Sequence, residues 1–460
     1  MALVPEWLKK PTDINEVSKK LWPTDVKRNA DGELEVAGVS VSELADEYGT
    51  ALYVISEQDF RNRAKGTKSA FDEAFKELCG EVDVYYAGKA FLCSEVIRWV
   101  RDEGLRLDTC TNGEMALAAV SGMPGKLLGL HGNNKSDGEL ERALTLGVGR
   151  IVVDCLDEIP RLAKIAERMD VKAPVMIRVK PGVHASTHEF IATAHEDQKF
   201  GLSISTGEAN EAIESVIKNE HLDFLGLHCH IGSQIFSPEG FAMAAERILE
   251  LASVVEKEYE TTVHEVDLGG GYGIAYTEAD NPRDIKEVAN ELAKAVAAAC
   301  DKYQLECPKI SIEPGRSIVG PAMFTLYSVG SIKQVELVEG ARNYIAVDGG
   351  MSDNPRPVLY DADYTAILAS RISKAEPAVS KVVGKHCESG DIVVRNGYLP
   401  ADVERGDLIA VAATGAYCWA LGSNFNYVER PAIVAVNKGK TKVIIKGETE
   451  EDLLARDACI

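Results

Sequence analysis

The chain has 460 residues, 45% of them hydrophobic, and its 72 acidic against 50 basic side chains leave a formal charge of −22 and a pI near 4.9. That length is enough for two or more domains with large cores. An acidic surplus without a Lys/Arg-rich block argues against nucleic acid and against anionic membrane surfaces as partners, which leaves small molecules and further copies of the chain.

The first twenty residues carry Pro5, Glu6, Lys9, Lys10 and Pro11 where an export signal needs an unbroken apolar core, so a cytoplasmic location is expected. Ten cysteines are scattered without a C-x-x-C pair and read as reduced thiols. Apolar stretches such as 409–413 fall far short of the roughly 18 residues of a membrane span. Residues 1–51 hold a predicted strand pair, 34–36 and 39–41, and a short amphipathic helix, 42–48. They have no core of their own and are assigned to the second domain.

From 82 to 313 short β-branched runs alternate with longer helix-patterned stretches, the pattern of βα repeats around a parallel sheet. The strands are predicted to end near Ala87, Asp108, His131, Asp154, Lys180, His230, Leu268 and Glu313. Eight such units within residues 52–320 have the size of a (β/α)8 TIM-like barrel; a doubly wound open sheet usually has fewer strands. An insertion at 184–201, with His184, His188 and His195, is predicted to be an active-site loop after the fifth strand. Beyond residue 321, strand-like runs at 325–338, 344–347, 391–395, 407–413 and 432–446, separated by Gly, Pro and Asp turns, predict an all-β domain over 321–460.

In a barrel of this kind catalytic groups lie at the C-terminal ends of the strands, and the unusual polar residues fall there. Lys89 follows one apolar run, Tyr85-Tyr86-Ala87, and precedes another, Ala90-Phe91-Leu92. Between apolar walls its pKa would drop and the amine could attack an aldehyde, although a solvated lysine at a strand end has the same local sequence. After the seventh strand, Gly269-Gly270-Gly271-Tyr272-Gly273 precedes a helix-compatible stretch and can bring backbone N–H groups to a phosphate. The spacing does not match a dinucleotide fingerprint. The eighth strand delivers Glu313-Pro314-Gly315-Arg316, a strand-end acid whose simplest role is an ion pair with Arg316. His228 and His230, in His228-Cys229-His230-Ile231-Gly232-Ser233-Gln234, share a face by strand alternation. Zinc would need further ligands at its usual spacings, and none is nearby, so no metal is expected and an imidazole stacked on a ring is preferred. In the second domain Cys387 lies in the polar turn His386-Cys387-Glu388-Ser389-Gly390-Asp391, where core packing is the competing explanation.

A nucleophilic lysine, a phosphate cradle, a flat imidazole and a buried acid on separate strands together describe a pyridoxal 5′-phosphate site. On Tyr86-Ala87-Gly88-Lys89-Ala90, the His228 to Gln234 segment, the glycine run, Glu313-Pro314-Gly315-Arg316, Cys387-Glu388-Ser389-x-Asp391 and Gly415-Ala416-Tyr417, the chain resembles the barrel-type (fold type III) pyridoxal phosphate decarboxylases, the diaminopimelate decarboxylases in particular. The resemblance runs from about Val36 to Leu454. One departure is Thr111-Asn112, where many members have Ser-Gly; the hydroxyl is kept.

The resemblance implies decarboxylation of meso-diaminopimelate to L-lysine and carbon dioxide, the last step of lysine biosynthesis. It implies that Lys89 carries the cofactor and His228 stacks on its ring. Ser233, Gly271, Gly273 and Tyr417 would bind the phosphate, Gly315 and Arg316 would line the cofactor, and Glu313 would keep the pyridine nitrogen protonated. Cys387 would protonate the carbanion. Arg316, Arg356, Tyr360, Glu388 and Tyr417 would hold a substrate whose far end bears an amine and a carboxylate. It further implies a homodimer whose active sites take Cys387 and Glu388 from the partner. Alanine racemase, with an arginine at the pyridine nitrogen, conflicts with Glu313. Ornithine and arginine decarboxylases carry a turn resembling Cys-Asp-x-x-Asp, which differs from Cys387-Glu388. A homologue that has lost catalysis and only binds a partner conflicts with the presence of Lys89 and Cys387.

Overall fold

A computed structural model describes residues 3–182 and 198–460. His184, His188 and His195 of the predicted loop lie outside the described residues. The chain divides into a barrel unit, Arg61–Gly273 with Pro282–Gly315, and a sheet unit, Met1–Phe60, Ile274–Asn281 and Arg316–Ile460.

Among the described residues eight parallel strands of the barrel unit form a closed ring, Asp83–Ala87, Arg106–Thr109, Leu128–Leu130, Arg150–Val153, Ala173–Lys180, Leu222–His228, Glu265–Asp267 and Lys309–Ile312, and a ninth, Leu202–Ser203, pairs with the end of Ala173–Lys180. Each strand of the ring pairs with the next, and the last closes on the first with Ser311 opposite Asp83 and Ile312 opposite Val84. Every strand of the ring ends within two residues of its predicted end. Strands such as Leu128–Leu130 and Arg150–Val153 are buried throughout, which is what a parallel sheet covered on both faces requires. The surrounding helices supply apolar stripes; Ser94–Asp102 buries Val96, Ile97, Trp99 and Val100 along one side. Helix Asp137–Leu146 opens on a Ser136/Glu139 capping box and stops at Gly147 in the left-handed region.

In the sheet unit Met323–Leu337 is the long central strand. It pairs with Leu52–Ser56, Gly340–Val347 and Leu408–Val411. Leu52–Ser56 also runs parallel to Ile433–Asn437. A boundary at 51/52 would give Leu52–Ser56 to the barrel, but its hydrogen bonds lie in this sheet. A buried five-residue apolar run carries no sequence signal for which sheet it joins. Ala366–Leu368 and Pro377–Val383 are strands that the sequence pattern did not reveal, and the 432–446 run is a hairpin turning at Lys438 and Gly439, both at positive φ. The N-terminal segment completes the core: Trp22, Leu34, Val36 and Val41 pack with Leu52, Val54, Phe324, Leu326 and Val434, and the Trp22 and Phe324 rings meet edge-on at 5.7 Å. Among the described residues no helix is long and apolar enough to cross a membrane.

Candidate active site

Lys89 occupies a single 3-10 turn, Gly88–Ala90, directly after the first strand. Gly88 and Ala90 are buried while Lys89 itself is exposed, so the apolar neighbours expected to wall it in turn away into the core. The Glu313 loop lies against this turn. The Ala87 N–H donates to Pro314 O at 3.0 Å, and a Cβ on Gly315 would come within 3.1 Å of Ala87 and Ala90.

Beneath Lys89 the barrel interior is ionic. Arg150, the first residue of the fourth strand, is fully buried, and its guanidinium lies 3.4 Å from the centre of the Tyr85 ring. It meets four carboxylates: Asp267 at 2.6 Å, Glu265 at 3.1 Å, and Asp108 and Glu313 at 3.2 Å each. Arg316, the expected ion partner of Glu313, belongs to the sheet unit, and Arg150 pairs with Glu313 within the barrel. The same Glu313 oxygen lies 3.0 Å from His228 Nε2 and 3.2 Å from His131 Nε2. Neither of these two ring nitrogens has an aligned hydrogen-bond partner, so both contacts are electrostatic.

Burial would raise the Glu313 carboxyl, but the two imidazoles beside it hold it well below the usual carboxylate range. At His228 burial wins over the pull of Glu313 and pushes the ring down to about 3. At His131 burial loses to Glu313 and Asp108, which lift the ring to about 9. The arrangement is therefore an ionised Glu313, a protonated His131 and a neutral His228. His131, His228 and Glu313 also form the one described group with metal-ligand spacing. Two of its cationic contacts, Arg150 and protonated His131, compete with any metal for the same Glu313 oxygen.

The two histidines of the sixth strand part company because the strand stops at His228. His230 lies beyond it, accepts the Gly270 N–H at Nδ1 at 3.2 Å, and is pushed far down by burial and by the charges of Lys89 and Arg178. His230, not His228, is thus the imidazole that senses Lys89 and touches the glycine loop.

That loop is shaped by backbone contact. Gly271 has φ +112, and a Cβ there would meet Gly232 O at 2.2 Å; at Gly270 it would meet Glu313 O at 1.9 Å. The Asp267 carboxylate accepts the Gly269 N–H at 2.6 Å, and the Ile235 N–H donates to Gly271 O at 2.9 Å. Ser233 and Gly273 therefore lie on one pair of interlocked loops. The helix expected directly after Gly273 is absent. Residues Ile274–Asn281 belong to the sheet unit, and the next helix is Ile285–Tyr303. Thr111 spends its hydroxyl capping helix Asn112–Val120 through the Glu114 N–H.

The remaining predicted residues lie in the sheet unit. Arg316, at the start of the short helix Arg316–Val319, donates to the Tyr276 hydroxyl and lies 4.7 Å over the Tyr417 ring. Tyr417 has φ +62, a costly conformation for a non-glycine residue. Arg356 opens helix Arg356–Tyr360, is 5% exposed, donates to the Tyr364 hydroxyl at 2.5 Å and lies 4.6 Å over the Tyr276 ring. Among the described residues no carboxylate forms a salt bridge with it. Tyr360 closes that helix, half-buried. Cys387 and Glu388 are exposed on a turn organised by Asp391, which accepts the N–H groups of Met351 and His386 at 2.7 and 2.8 Å. An exposed thiol is not a core residue, which removes the packing explanation for Cys387. Beside it the Cys387 N–H donates to Asn426 at 3.1 Å, and Leu421, Phe425 and Tyr427 are exposed.

Asp108, His131, Arg150 and Asp267 were not singled out from sequence. Asp108 and His131 stand at predicted strand ends and follow from the same rule that found Glu313. Arg150 stands at a strand start, and no linear signal marks a guanidinium that reaches through a barrel.

The fold and these strand ends define a cofactor-binding barrel, and residues 64–320 match the family of the pyridoxal-dependent decarboxylase, pyridoxal binding domain. The diaminopimelate decarboxylase of Mycobacterium tuberculosis (strain H37Rv) is 48% identical over 448 residues, covering 96% of this chain and 99% of that protein. That of Bacillus subtilis is 43% identical, covering 94% and 96%. The crystal structure of diaminopimelate decarboxylase from M. jannaschii in complex with L-lysine superimposes with a TM-score of 0.88 at 30% identity, covering 96% of this chain and 99% of that one. The chain belongs to the pyridoxal-dependent decarboxylases and, within them, to the diaminopimelate decarboxylase family. The barrel fits that cofactor: an exposed amine at Lys89, an ionised acid at Glu313, and a glycine loop packed so tightly on neighbouring backbone that no Cβ would fit.

Proposed function

We propose that the chain removes one carboxyl group from meso-diaminopimelate, using pyridoxal 5′-phosphate, and releases L-lysine and carbon dioxide. The observation that carries this reading is the buried Arg356, a guanidinium surrounded by Tyr276 and Tyr364 and, among the described residues, without a carboxylate partner. An uncompensated buried cation suits a second, non-reacting carboxylate on the substrate. The family membership supplies the reaction type.

In this reading the Lys89 amine would hold the cofactor by its aldehyde. Gly271, Gly273 and Ser233 bind its phosphate together with Tyr417, and Gly315 and Arg316 line its edge. Glu313 keeps a proton on the ring nitrogen, and Arg150 with His131 keeps Glu313 ionised and in place. We assign the stacking role to His230 in place of His228, because His230 adjoins Lys89 and the glycine loop. When bound, the cofactor would supply the electron sink that decarboxylation needs. Cys387 then returns a proton to that carbon, while Arg356, Tyr360 and Glu388 orient the far end of the substrate.

Cys387 and Glu388 sit exposed beside Leu421, Phe425 and Tyr427. That placement supports a homodimer that covers this apolar surface and completes each site with the partner's thiol. Ten free cysteines suit a reducing cytoplasm. The test is a panel of meso-diaminopimelate, lysine, ornithine and arginine assayed for carbon dioxide release. Release from diaminopimelate with little from the others is expected; equal turnover of ornithine or lysine refutes the reading.

A further inference from the structure

Three cysteines that the catalytic site does not use meet at the opposite end of the barrel, where its strands begin. Cys79 follows helix Glu57–Phe75 and precedes the first strand. Cys307 precedes the last, and Cys300 lies in the final turns of helix Ile285–Tyr303. The first and last strands are the pair that closes the barrel, with Asp83 opposite Ser311. Cys79 stands shortly before the first strand, which starts at Asp83, and Cys307 shortly before the last, which starts at Lys309, so both lie at the N-terminal rim of the seam that these two strands close. The Cys307 thiol has the thiols of Cys79 and Cys300 as its electrostatic neighbours, and its S–H donates to Pro308 O at 3.6 Å. Cys79 and Cys307 are half-buried and within reach of a small oxidant, whereas Cys300 is buried.

The three thiols are not equivalent. The neighbouring Cys307 thiol lowers Cys79 to about 7, aided by the Ile310 N–H and the Lys309 ammonium and opposed by burial. Cys307, between its two thiol neighbours, is raised instead. A thiolate touching a protonated thiol is the arrangement of an attacking and a resolving cysteine.

We propose that Cys79 and Cys307 form a reversible disulfide when the protein meets a hydroperoxide, stapling the seam where the barrel's first and last strands join. The Cys79 thiolate attacks one peroxide oxygen; the O–O bond breaks and, with hydrogen peroxide and a proton, the leaving hydroxide departs as water. The Cys307 sulfur then attacks the resulting sulfenic sulfur and displaces a second water. Overall, two thiols and one hydrogen peroxide give one disulfide and two waters.

The test uses the full-length protein loaded with its cofactor. After exposure to stoichiometric hydrogen peroxide and capping with N-ethylmaleimide, a non-reducing digest read by mass spectrometry should show the Cys79 peptide joined to the Cys307 peptide, and dithiothreitol should release it. Closing so long a loop should also raise the thermal transition by about 5 °C, reversibly. In Cys307→Ser the cross-link should vanish and Cys79 should proceed to its sulfinic acid, while Cys300→Ser should still form the link. A Cys300–Cys307 link in its place, overoxidised Cys79 in the parent protein, or Cys79 and Cys307 both recovered as free thiols overturns the proposal. These readings on the parent stand even if a variant does not fold.

Discussion

Arg356 and Cys387 pose opposite problems at the scale of single residues. Arg356 is a buried charge without a counter-ion among the described residues, so its removal should act through the substrate. Losing one partner of a buried charge pair costs on the order of 2–5 kcal/mol, and about 1.4 kcal/mol is tenfold. Arg356→Ala should therefore cut kcat/KM for diaminopimelate about 30-fold or more and erase much of its preference over lysine. An unchanged preference in steady-state assays would place the distal carboxylate elsewhere. Cys387 is reactive chemistry on an exposed turn, and protonation follows binding. Cys387→Ala should lower kcat by about 100-fold or more with KM within a few-fold. Full activity in that variant would leave the thiol without a catalytic task. Lys89 and Glu313 were legible from sequence because each follows a strand directly. The choice between His228 and His230 was not, since it depends on where the sixth strand stops.

Between elements, the ends of four strands meet in one charge cluster, and its titration is measurable. Glu313 and Asp108 overcome burial and lift His131 from its ordinary value near 6.5 to about 9, so the fold favours the protonated ring. The stabilisation this gives is complete below about pH 6.5 and is lost as pH rises through 9. At roughly 1.4 kcal/mol for each pKa unit it is on the order of 3 kcal/mol. Asp267, raised to about 7 chiefly by burial, also erodes stability as pH rises toward neutrality. The informative quantity is therefore the difference between the parent and His131→Gln. The parent's urea midpoint should fall more steeply than the variant's between pH 6.5 and 9; parallel curves would mean that His131 is neutral in the folded protein. The sequence puts Asp108, His131 and Glu313 at strand ends but shows neither their mutual contact nor the part of Arg150, because the four lie far apart along the chain.

For the whole molecule, the exposed Cys387 turn and the Lys89 turn belong to separate compact units, and a shared site predicts complementation. Lys89→Ala and Cys387→Ala should each be almost inactive alone. Mixed under conditions that exchange subunits, half the dimers become hybrids with one intact site in two, which restores about a quarter of parental activity if each site takes Cys387 from the partner. No recovery, with exchange confirmed by labelled subunits, would put Lys89 and Cys387 of one site on the same chain.

The sequence by itself determined the eight βα units, their strand ends to within two residues, the all-β texture after residue 321, and the polar residues stationed at strand ends. These follow from local alternation and turn chemistry, which are written along the chain. Only the tertiary structure decided that Leu52–Ser56 joins the second sheet, that residues 274–281 leave the barrel in place of a helix, and that Arg150 gathers four carboxylates under Glu313. Each depends on which distant segments pair and which buried charges must neutralise one another. Hydrogen-bond register and desolvation settle those questions in space, and no stretch of neighbouring residues carries them.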